Sequence, residues 1–498
     1  MSETDYRKQT GHIRHCPGVP IAAEWNETQR ELREMLRDSG TSLPWNTQMN
    51  AAWTVCLHKA DIIDRATARK LLAAVYEVLK DGKPGGGVES TIVAKLDGDE
   101  DLGSIMNYGR TAQEPMSRLQ MRAVLLRIFD TLHGLMDTIL DVAEQNIDTI
   151  MVGHTHFSHA QPITFAHYLL AVFDALQRGE EQLRLAYKHV NRNTGGCGST
   201  SGTTWPADRR LLTELLGFDE LVEPTYDCEA SQDHSMSILF SLSNIALLIT
   251  KVAMDLEIWT MEEIDLFQVD QSYCGQSSFM PHKAHPGSRL ERTRVPANEV
   301  LGETVKAMYF SKGEPHGDVI PMVEIPQGPV PKAAAHAHVA MRNLAGFLSH
   351  IEPKKEKMLQ YAREGFSCAT EIVVHMVRKL GYGGRRSHRI AGTFVRTCRE
   401  RGIKANGATG DLLDEAAGFL GEKPPKIDTP TLRTLLDPVE FIASHDNIGG
   451  TAPQEAKRML SARRHIIEDL RKQQANRHDR IRKGEALLQR EVDEILGG

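Results

Sequence analysis

The stretch EASQDHSMSILFSLSNIALLITKVAMDLEIWTMEEIDLFQVDQSYC, residues 229–274, decides the fold class of this chain. It contains no glycine and no proline, the two residues that most reliably interrupt helices. Apolar residues recur in it at three- and four-residue steps over a wide arc, among them Ile238, Leu242, Ile245 and Ile249. The pattern predicts one very long helix that is buried on several sides. About forty helical residues span about 60 Å, so we expect a bundle that continues across subunits.

Two further segments carry the same helical pattern. Residues 116–151 are interrupted only by Gly134, and residues 164–193 only by Gly179. Strand alternation with hairpin turns is hard to find, and aromatic residues make up only 6% of the chain. The predicted fold class is therefore mainly α. From Pro453 onward we expect a charged helical tail with a solvated face.

Clusters of glycine and proline divide the 498 residues into three parts, which suits a chain of this length. These glycine and proline clusters lie at residues 83–87, 193–198, 275–287, 313–331 and 381–384. We predict an N-terminal helical domain over residues 1–110, a central long-helix bundle domain over 111–365, and a C-terminal helical domain over 366–498 that includes the charged tail.

Composition excludes several classes of partner. Lys and Arg number 59 against 66 Asp and Glu, a net charge of −7, so there is no electrostatic footprint for nucleic acid or an anionic membrane. No apolar run is long enough for a membrane span. Seven cysteines without CxxC spacing suggest neither a disulfide framework nor a zinc knuckle. We expect a cytoplasmic protein whose partner is a small molecule or another copy of itself.

The first loop that could carry chemistry is CGQSSFMPHKAHPG, residues 274–287. It combines mobile glycines with two adjacent hydroxyls, Ser277 and Ser278, and with Lys283. A serine near a lysine on such a loop can act as a base, because positive charge and backbone N–H donors stabilise its deprotonated oxygen. The alternative from this spacing alone is an ordinary surface loop.

Two other loops stand out. GHTHFSHAQP, residues 153–162, places three histidines within six residues, but no acidic or thiol partner is spaced to complete a metal site, so we predict no metal. NYGRTAQE, residues 107–114, offers hydroxyl, amide and guanidinium donors before a helix, which suits a carboxylate ligand.

QSSFMPHKAHP, residues 276–286, resembles the GSSxMPxKxNP signature loop of the fumarase/aspartase superfamily, within which the chain is most similar to the argininosuccinate lyases. Residues 153–162, 196–209 and 449–453 resemble further motifs of that family. The resemblance implies a three-domain fold whose central helical bundle is completed by tetramerisation, with each active site shared by three subunits. It also implies β-elimination from a substituted succinate with release of fumarate, without metal or organic cofactor.

The resemblance further implies a role for each matching residue. Ser277 would be the general base that removes the Cβ proton, Lys283 would stabilise the resulting carbanion with the loop amides, and His156 would serve the leaving-group side. The residues implied in substrate binding are Arg110, Thr111, Gln113, Thr155, Ser278, Met280 and His285.

Four departures from the family pattern bear on specificity. His285 stands where the family has Asn, Gln276 where it has Gly, and Ala112 where the lyases have the clamp arginine. In the family a glutamate pairs with the catalytic histidine, and Leu290 occupies its position in this chain. Glu291, one residue later, is the possible partner.

The stretch that recognises the arginine portion in the family is also changed. PHGDVIPMVEIP, residues 315–326, keeps none of its Tyr, Gln and Lys, which argues against argininosuccinate as substrate. We predict a C–N lyase that acts on a different N-substituted succinate. Two alternatives stay open. One is a cycloisomerase that releases no fumarate, since TAQE at 111–114 is similar to the TSQD clamp of such enzymes; the other is a catalytically silent, crystallin-like protein.

Overall fold

The computed structural model describes residues 21–38, 42–82, 88–111, 116–277, 279–280 and 282–497. The described chain is mainly α, as predicted. Its helices are α1 Ala23–Asp38, α2 Leu43–Lys59, α3 Arg65–Asp81, α4 Val88–Lys95, α5 Glu100–Ser104, α6 Met116–Gln145, α7 Phe165–Val190, α8 Arg209–Leu215, α9 Thr225–Ala230, α10 Asp233–Thr260, α11 Gly287–Ser311, α12 Ile320–Gln327, α13 Pro329–Leu348, α14 Lys355–Glu364, α15 Ala369–Leu380, α16 Gly384–Glu400, α17 Gly410–Phe419, α18 Thr429–Leu435, α19 Pro438–Ser444 and α20 Pro453–Gly497.

The strands are short and form two-stranded pairs. They are β1 Ile150–Thr155 with β2 Ser158–Thr164, β3 Arg192–Asn193 with β4 Glu220–Leu221, β5 Phe267–Val269 with β8 Ile351–Pro353, and β6 Gly275–Gln276 with β7 Ala284–His285. All are antiparallel except the β3–β4 pair.

Five long helices form the central bundle. Helix α6 packs on α7, α7 on α10, α10 on α11, α11 on α13, and α13 returns to α6. Their inner faces meet in one apolar core, in which Phe129, Phe173, Leu242, Ala297 and Met341 are fully buried. Because each helix buries apolar surface against two neighbours, the wide apolar arcs seen in the sequence are accounted for.

The prediction of a single helix over residues 229–274 is wrong at both ends. The chain forms the short helix α9, then begins α10 at Asp233 and ends it at Thr260. Glu262 and Glu263 follow this end, where negative charge opposes the helix dipole, and Asp265 takes a left-handed conformation with φ 52°. The next residues pair as β5 with β8 instead of continuing the helix.

Helix α10 is long and apolar enough to cross a membrane by length and composition. However, 56% of its most apolar 18-residue window is buried inside the protein. Core helices of globular proteins share this composition, and α10 contacts α7, α11 and α13 in the bundle. We therefore interpret it as the core helix of the bundle.

The other two predicted helices are present, with one correction. Helix α7 matches the segment predicted over residues 164–193, and its first turn is capped by the Thr164 hydroxyl, which accepts from the His167 N–H at 3.1 Å. The helix predicted over residues 116–151 ends at Gln145. The chain then forms the β1–β2 hairpin, which the sequence analysis did not predict.

Two smaller apolar cores accompany the bundle, one around Trp53 and one around Phe394. Helix α20 is the helical tail predicted from Pro453, but one side of it is buried against the rest of the protein. Its Leu470 belongs to the bundle core and its Val492 to the core around Trp53. The helix thus ties these two cores together, whereas the domain boundaries near residues 110 and 365 stay a prediction.

Candidate active site

The signature loop is held by the small β6–β7 hairpin. Gly275 pairs with His285 and Gln276 with Ala284, which brings the two ends of the loop side by side. The Ser277 N–H also donates to the Lys283 carbonyl at 3.4 Å. Ser277 and Lys283 therefore face each other across the base of one loop, although five residues separate them.

The hydroxyl of Ser277 lies among main-chain donors. Its Oγ accepts from the N–H of Met280 at 3.0 Å and from the N–H of Phe279 at 3.3 Å. Both donors are main-chain N–H groups, so they are present whether the Ser277 hydroxyl is protonated or deprotonated. Two N–H groups aimed at one oxygen stabilise negative charge on it, which is the electrostatic requirement for a serine that acts as a base.

The remaining predicted residues of this loop are placed as follows. Lys283 is exposed and Met280 is 38% exposed, so both reach solvent in the single chain. His285 lies on β7, where its carbonyl accepts from the Ser288 hydroxyl at 3.2 Å. Ser278 lies outside the described residues, as does Gln113 of the other loop.

His156 sits at the tip of the β1–β2 hairpin. Thr155 pairs with Ser158, and the two residues between them, His156 and Phe157, have φ of 52° and 57°. Two positive φ values are typical of type I′ turns, which normally use Asn and Gly. A bulky residue such as Phe157 rarely adopts a positive φ, so the exposed tip stores backbone strain there, a feature concentrated at functional sites.

A cavity of about 830 Å³ lies beneath this hairpin, lined by Thr155, His156, Asp255 and Trp259 among others. The other two histidines of the motif, His154 and His159, pack edge to face with ring centroids 5.2 Å apart. Burial and the neighbouring His154 lower the pKa of His159. Within the described ranges no group of three or more His, Cys, Asp or Glu residues is arranged to hold a metal ion.

Arg110 and Thr111 form a third location. Arg110 is 6% exposed, and its guanidinium donates to Asn50 Oδ1 at 2.5 Å and to the Thr111 carbonyl at 3.0 Å. The Thr111 hydroxyl donates to Glu229 Oε1 at 3.3 Å. Arg110 thus fixes the main chain at Thr111, which leaves the Thr111 side chain at the edge of a second cavity of about 290 Å³.

This second cavity contains residues that the sequence analysis did not single out: Glu229, His234 and Asp318. Glu229 and His234 flank the start of α10, and Asp318 precedes α12. The one available signal was a run of polar residues at the beginning of an otherwise apolar helix. Their convergence with Thr111 depends on tertiary packing.

Within one chain the predicted site residues therefore fall into three groups. Ser277, Met280, Lys283 and His285 share the hairpin loop, while Arg110 and Thr111 lie at the second cavity. Thr155 and His156 line the cavity beneath the β1–β2 hairpin, and neither described cavity is lined by Ser277 or Lys283.

Comparison with known proteins identifies the family. Residues 57–302 match the family model described as a lyase. The chain is 28% identical over 479 residues to the argininosuccinate lyase of Methanocaldococcus jannaschii, covering 92% of this chain and 96% of the relative. A solved EDDS lyase variant with bound fumarate superposes with a TM-score of 0.89 at 25% identity, covering 100% of this chain and 99% of that one. The chain belongs to the fumarase/aspartase superfamily.

The resemblance inferred from the signature loop is thereby confirmed, and the protein is a lyase of this superfamily with its helical three-domain fold. The 3-carboxy-cis,cis-muconate lactonizing enzyme of Pseudomonas putida shares the fold, with a TM-score of 0.69 at 20% identity over 87% of this chain and 97% of that one.

The start of α11 bears on the possible partner of His156. Leu290, at the position of the family's paired glutamate, is fully buried in the bundle core. Glu291 follows it and is exposed on the helix surface, on the side where Glu257 lies. A carboxylate at Glu291 is therefore available to a group outside its own helix, so its pairing with His156 stays a prediction.

Proposed function

We propose that the protein is a carbon–nitrogen lyase that cleaves an N-substituted succinate to fumarate and an amine, and that the reaction is reversible. Support comes from the lyase family match and from relatives named argininosuccinate lyase and EDDS lyase, one of them with fumarate bound. The amine portion differs from arginine in this proposal, because residues 315–326 lack the side chains with which the family recognises it.

The observation that carries the proposal is the pair of N–H groups directed at Ser277 Oγ. After Ser277 has released its proton to solvent, this oxygen takes the proton from the substrate's Cβ, and the electrons of the Cβ–H bond move into the neighbouring carboxylate. Lys283 and the loop amides stabilise that dianionic carboxylate. The electrons then return to form the carbon–carbon double bond as the Cα–N bond breaks, and the amine leaves with a proton from the His156 side.

In this proposal Thr111 and Gln113 hold a substrate carboxylate, with Arg110 positioning Thr111, while Thr155, Ser278, Met280 and His285 complete the binding surface. No cofactor takes part. The cavity that His156 lines does not include Ser277, and in this proposal groups from neighbouring copies complete the site. The tip that carries His156 is exposed in the single chain and is therefore accessible to another subunit.

The bundle surface supports assembly into a homotetramer. Phe240, Leu247 and Met254 on α10 are between 41% and 48% exposed and follow each other at steps of seven residues. Residues seven apart lie on nearly the same face of a helix, which is the pattern of a helix–helix seam. On α11, Val305, Met308 and Tyr309 are also between 49% and 71% exposed. We propose that these faces meet in a tetramer that acts in the cytoplasm.

The experiment that tests the function is incubation of the protein with fumarate and a panel of ammonia, amines and amino acids. Loss of the fumarate ultraviolet band, with an N-substituted succinate identified by mass spectrometry, supports the proposal. Turnover of a muconate-type acid without fumarate would instead favour a cycloisomerase, and no turnover with any nucleophile would favour a silent structural protein.

A further inference from the structure

Two cysteines that are distant in the sequence meet beside the cavity next to Thr111. Cys197 lies in the loop between β3 and α8, Cys228 lies on α9, and with Val222 they form one small apolar cluster. Their side chains are in hydrogen-bond contact as thiols. A disulfide bond requires the two Cβ atoms to lie about 4 Å apart, so two thiols already in contact need only a small movement to form one.

An arginine is fixed against the sulfur of Cys228. The guanidinium of Arg209 donates to the Gly195 carbonyl at 3.1 Å and to the Val222 carbonyl at 2.8 Å. It also donates from Nη2 to Cys228 Sγ at 3.2 Å. The hydrogen bond from Cys197 and the charge of Arg209 lower the pKa of the Cys228 thiol, against the opposing effect of burial. Cys228 is therefore the member of the pair that forms a thiolate, which is the nucleophilic form of cysteine.

Small solutes can reach Cys228 through the cavity. Cys228 lines this cavity of about 290 Å³ together with Ile320, which is 71% exposed, so the cavity opens to solvent. Cys197 is fully buried and is not among the residues that line the cavity. An oxidant that enters the cavity therefore meets Cys228 first, and Cys197 is in contact with the product.

Other buried cysteines of the chain have a different environment. Cys56 and Cys368 lie in the apolar cores around Trp53 and Phe394, and burial raises the pKa of both thiols, to about 12 for Cys368. Apolar burial disfavours the thiolate and makes a cysteine inert. These two residues are therefore internal controls for the reactivity of Cys228.

We propose that Cys228 and Cys197 are a peroxide-responsive thiol pair, and that the disulfide bond between them slows the lyase reaction, a second part that rests on the proposed function. The Cys228 thiolate attacks hydrogen peroxide, the O–O bond breaks, and Cys228 becomes a sulfenic acid as hydroxide leaves. The Cys197 sulfur then displaces the sulfenic oxygen and forms the S–S bond. The proton of Cys197, which its thiol donates to Glu229 at 3.5 Å, passes to that oxygen, and water leaves. One peroxide is thus reduced as two thiols are oxidised, and a dithiol reductant reverses the bond.

The disulfide bond acts on the proposed site through Glu229. In the reduced protein Glu229 Oε1 accepts from the Cys197 thiol and also from the Thr111 hydroxyl, at 3.3 Å. Oxidation removes the thiol proton and draws the Cys197 sulfur toward Cys228, which shifts the carboxylate that Thr111 contacts. Because Thr111 belongs to the proposed carboxylate clamp, we expect kcat/KM to fall at least about fivefold, as for one lost hydrogen bond.

The test treats the purified protein with hydrogen peroxide, alkylates the remaining thiols after unfolding, and maps all cysteines by mass spectrometry. We expect a linked peptide that joins Cys197 to Cys228, while Cys56 and Cys368 are recovered alkylated. The kcat/KM for fumarate and an accepted amine should fall with the same time course and return after dithiothreitol.

Three variants separate the roles of the two thiols. Cys228→Ser should form no linked peptide and keep its kcat/KM in peroxide. Cys197→Ser should stop at the Cys228 sulfenic acid, which dimedone captures as an adduct of defined mass. Cys368→Ser is the matched control, since it replaces a buried thiol away from the pair, and it should respond to peroxide like the wild type.

Two results with the wild-type protein would overturn the thiol pair, and neither requires a variant to fold. One is the absence of the linked peptide, and the other is oxidation of Cys56 or Cys368 as fast as Cys228. A linked peptide with unchanged kcat/KM would overturn the regulatory part. If the reduced protein adds no amine to fumarate, the lyase proposal fails together with the regulatory part, whereas the peptide map still decides whether the disulfide bond forms.

Discussion

The main-chain N–H of Met280 donates to the hydroxyl oxygen of Ser277 at 3.0 Å. With the donor from Phe279, this contact prepares the oxygen for negative charge before any substrate arrives. The arrangement is local, since it depends only on the turn between the two strands of the β6–β7 hairpin. The loop itself thus supplies donors that favour the deprotonated form of Ser277, and cations from elsewhere would add to the effect.

Removal of this hydroxyl should eliminate the chemistry without unfolding the protein. We expect Ser277→Ala to lower kcat by about 10²- to 10⁴-fold, the range typical of a lost general base, with an unchanged melting temperature. Ser288→Ala is the matched control, because Ser288 lies beside the same hairpin and its hydroxyl donates to the His285 carbonyl. Its kcat should stay within a few-fold of wild type. A Ser277→Ala protein with wild-type kcat would refute the base assignment.

Acid should destabilise the bundle through His133. This histidine is 3% exposed on α6, and burial together with Arg477 lowers its pKa to about 4. The unfolded chain takes up a proton near pH 6.5 whereas the folded one does not, so the stabilisation is complete above that pH and is lost as the pH falls toward 4. At pH 5 the loss is about 2 kcal/mol.

The measurement is the melting temperature of the wild type and of His133→Gln between pH 7.5 and pH 5. The variant should show a smaller decrease over this interval, because its side chain does not titrate. Identical pH profiles for the two proteins would contradict the assignment of this pH dependence to His133.

The contact between α20 and the loop after α8 depends on a glycine. A Cβ at Gly484 would lie 2.6 Å from the Gly217 nitrogen and 2.9 Å from the Glu214 carbonyl oxygen, so the main chains would have to separate. We expect Gly484→Ala to destabilise the protein by about 1–3 kcal/mol, as overpacking does. Gly392→Ala, at an exposed helical position with no atom within 4 Å, should stabilise it by about 0.5–1 kcal/mol. Thermal denaturation of both variants checks the two signs.

Assembly should fail when the exposed seam on α10 is charged. Leu247→Glu places a carboxylate where the single chain is 41% exposed, so the helix can still form, but a partner helix could not bury that charge. We expect a smaller species by light scattering, together with loss of activity. Phe419→Glu, at a 74% exposed position on α17, makes the same kind of change away from the seam and should leave the mass unchanged. A Leu247→Glu protein of wild-type mass would contradict the proposed interface.

The sequence predicted most of what depends on local pattern. Residues 164–193 contain the expected helix α7, and the loop expected to bring Ser277 near Lys283 does so at its base, although the paired strands that hold it were not predicted. The helix end at Thr260 was missed because no glycine or proline marks it. There the pairing of β5 with β8, more than 80 residues away, outweighs helix propensity.

The parts of the site that could not be predicted depend on strain or on distant packing. The turn has positive φ at His156 and Phe157 in place of the usual Asn-Gly pair, so the motif 153–162 carries no hairpin signal. Glu229, His234 and Asp318 reach one cavity only through the packing of separate elements. The sequence analysis therefore singled out the loops but missed the cavity beside Thr111.

The central claim is that Ser277 and His156 act in one site although they lie apart in the chain. To test this claim, the Ser277→Ala and His156→Asn proteins, each of which should be inactive alone, are mixed, unfolded together and refolded. Asn suits the positive φ at this position, so the hairpin should persist. If the two groups come from different subunits, about one site in four regains both, and fumarate consumption with an accepted amine should return to about a quarter of the wild-type rate. Mixed proteins as inactive as the separate variants would contradict the account.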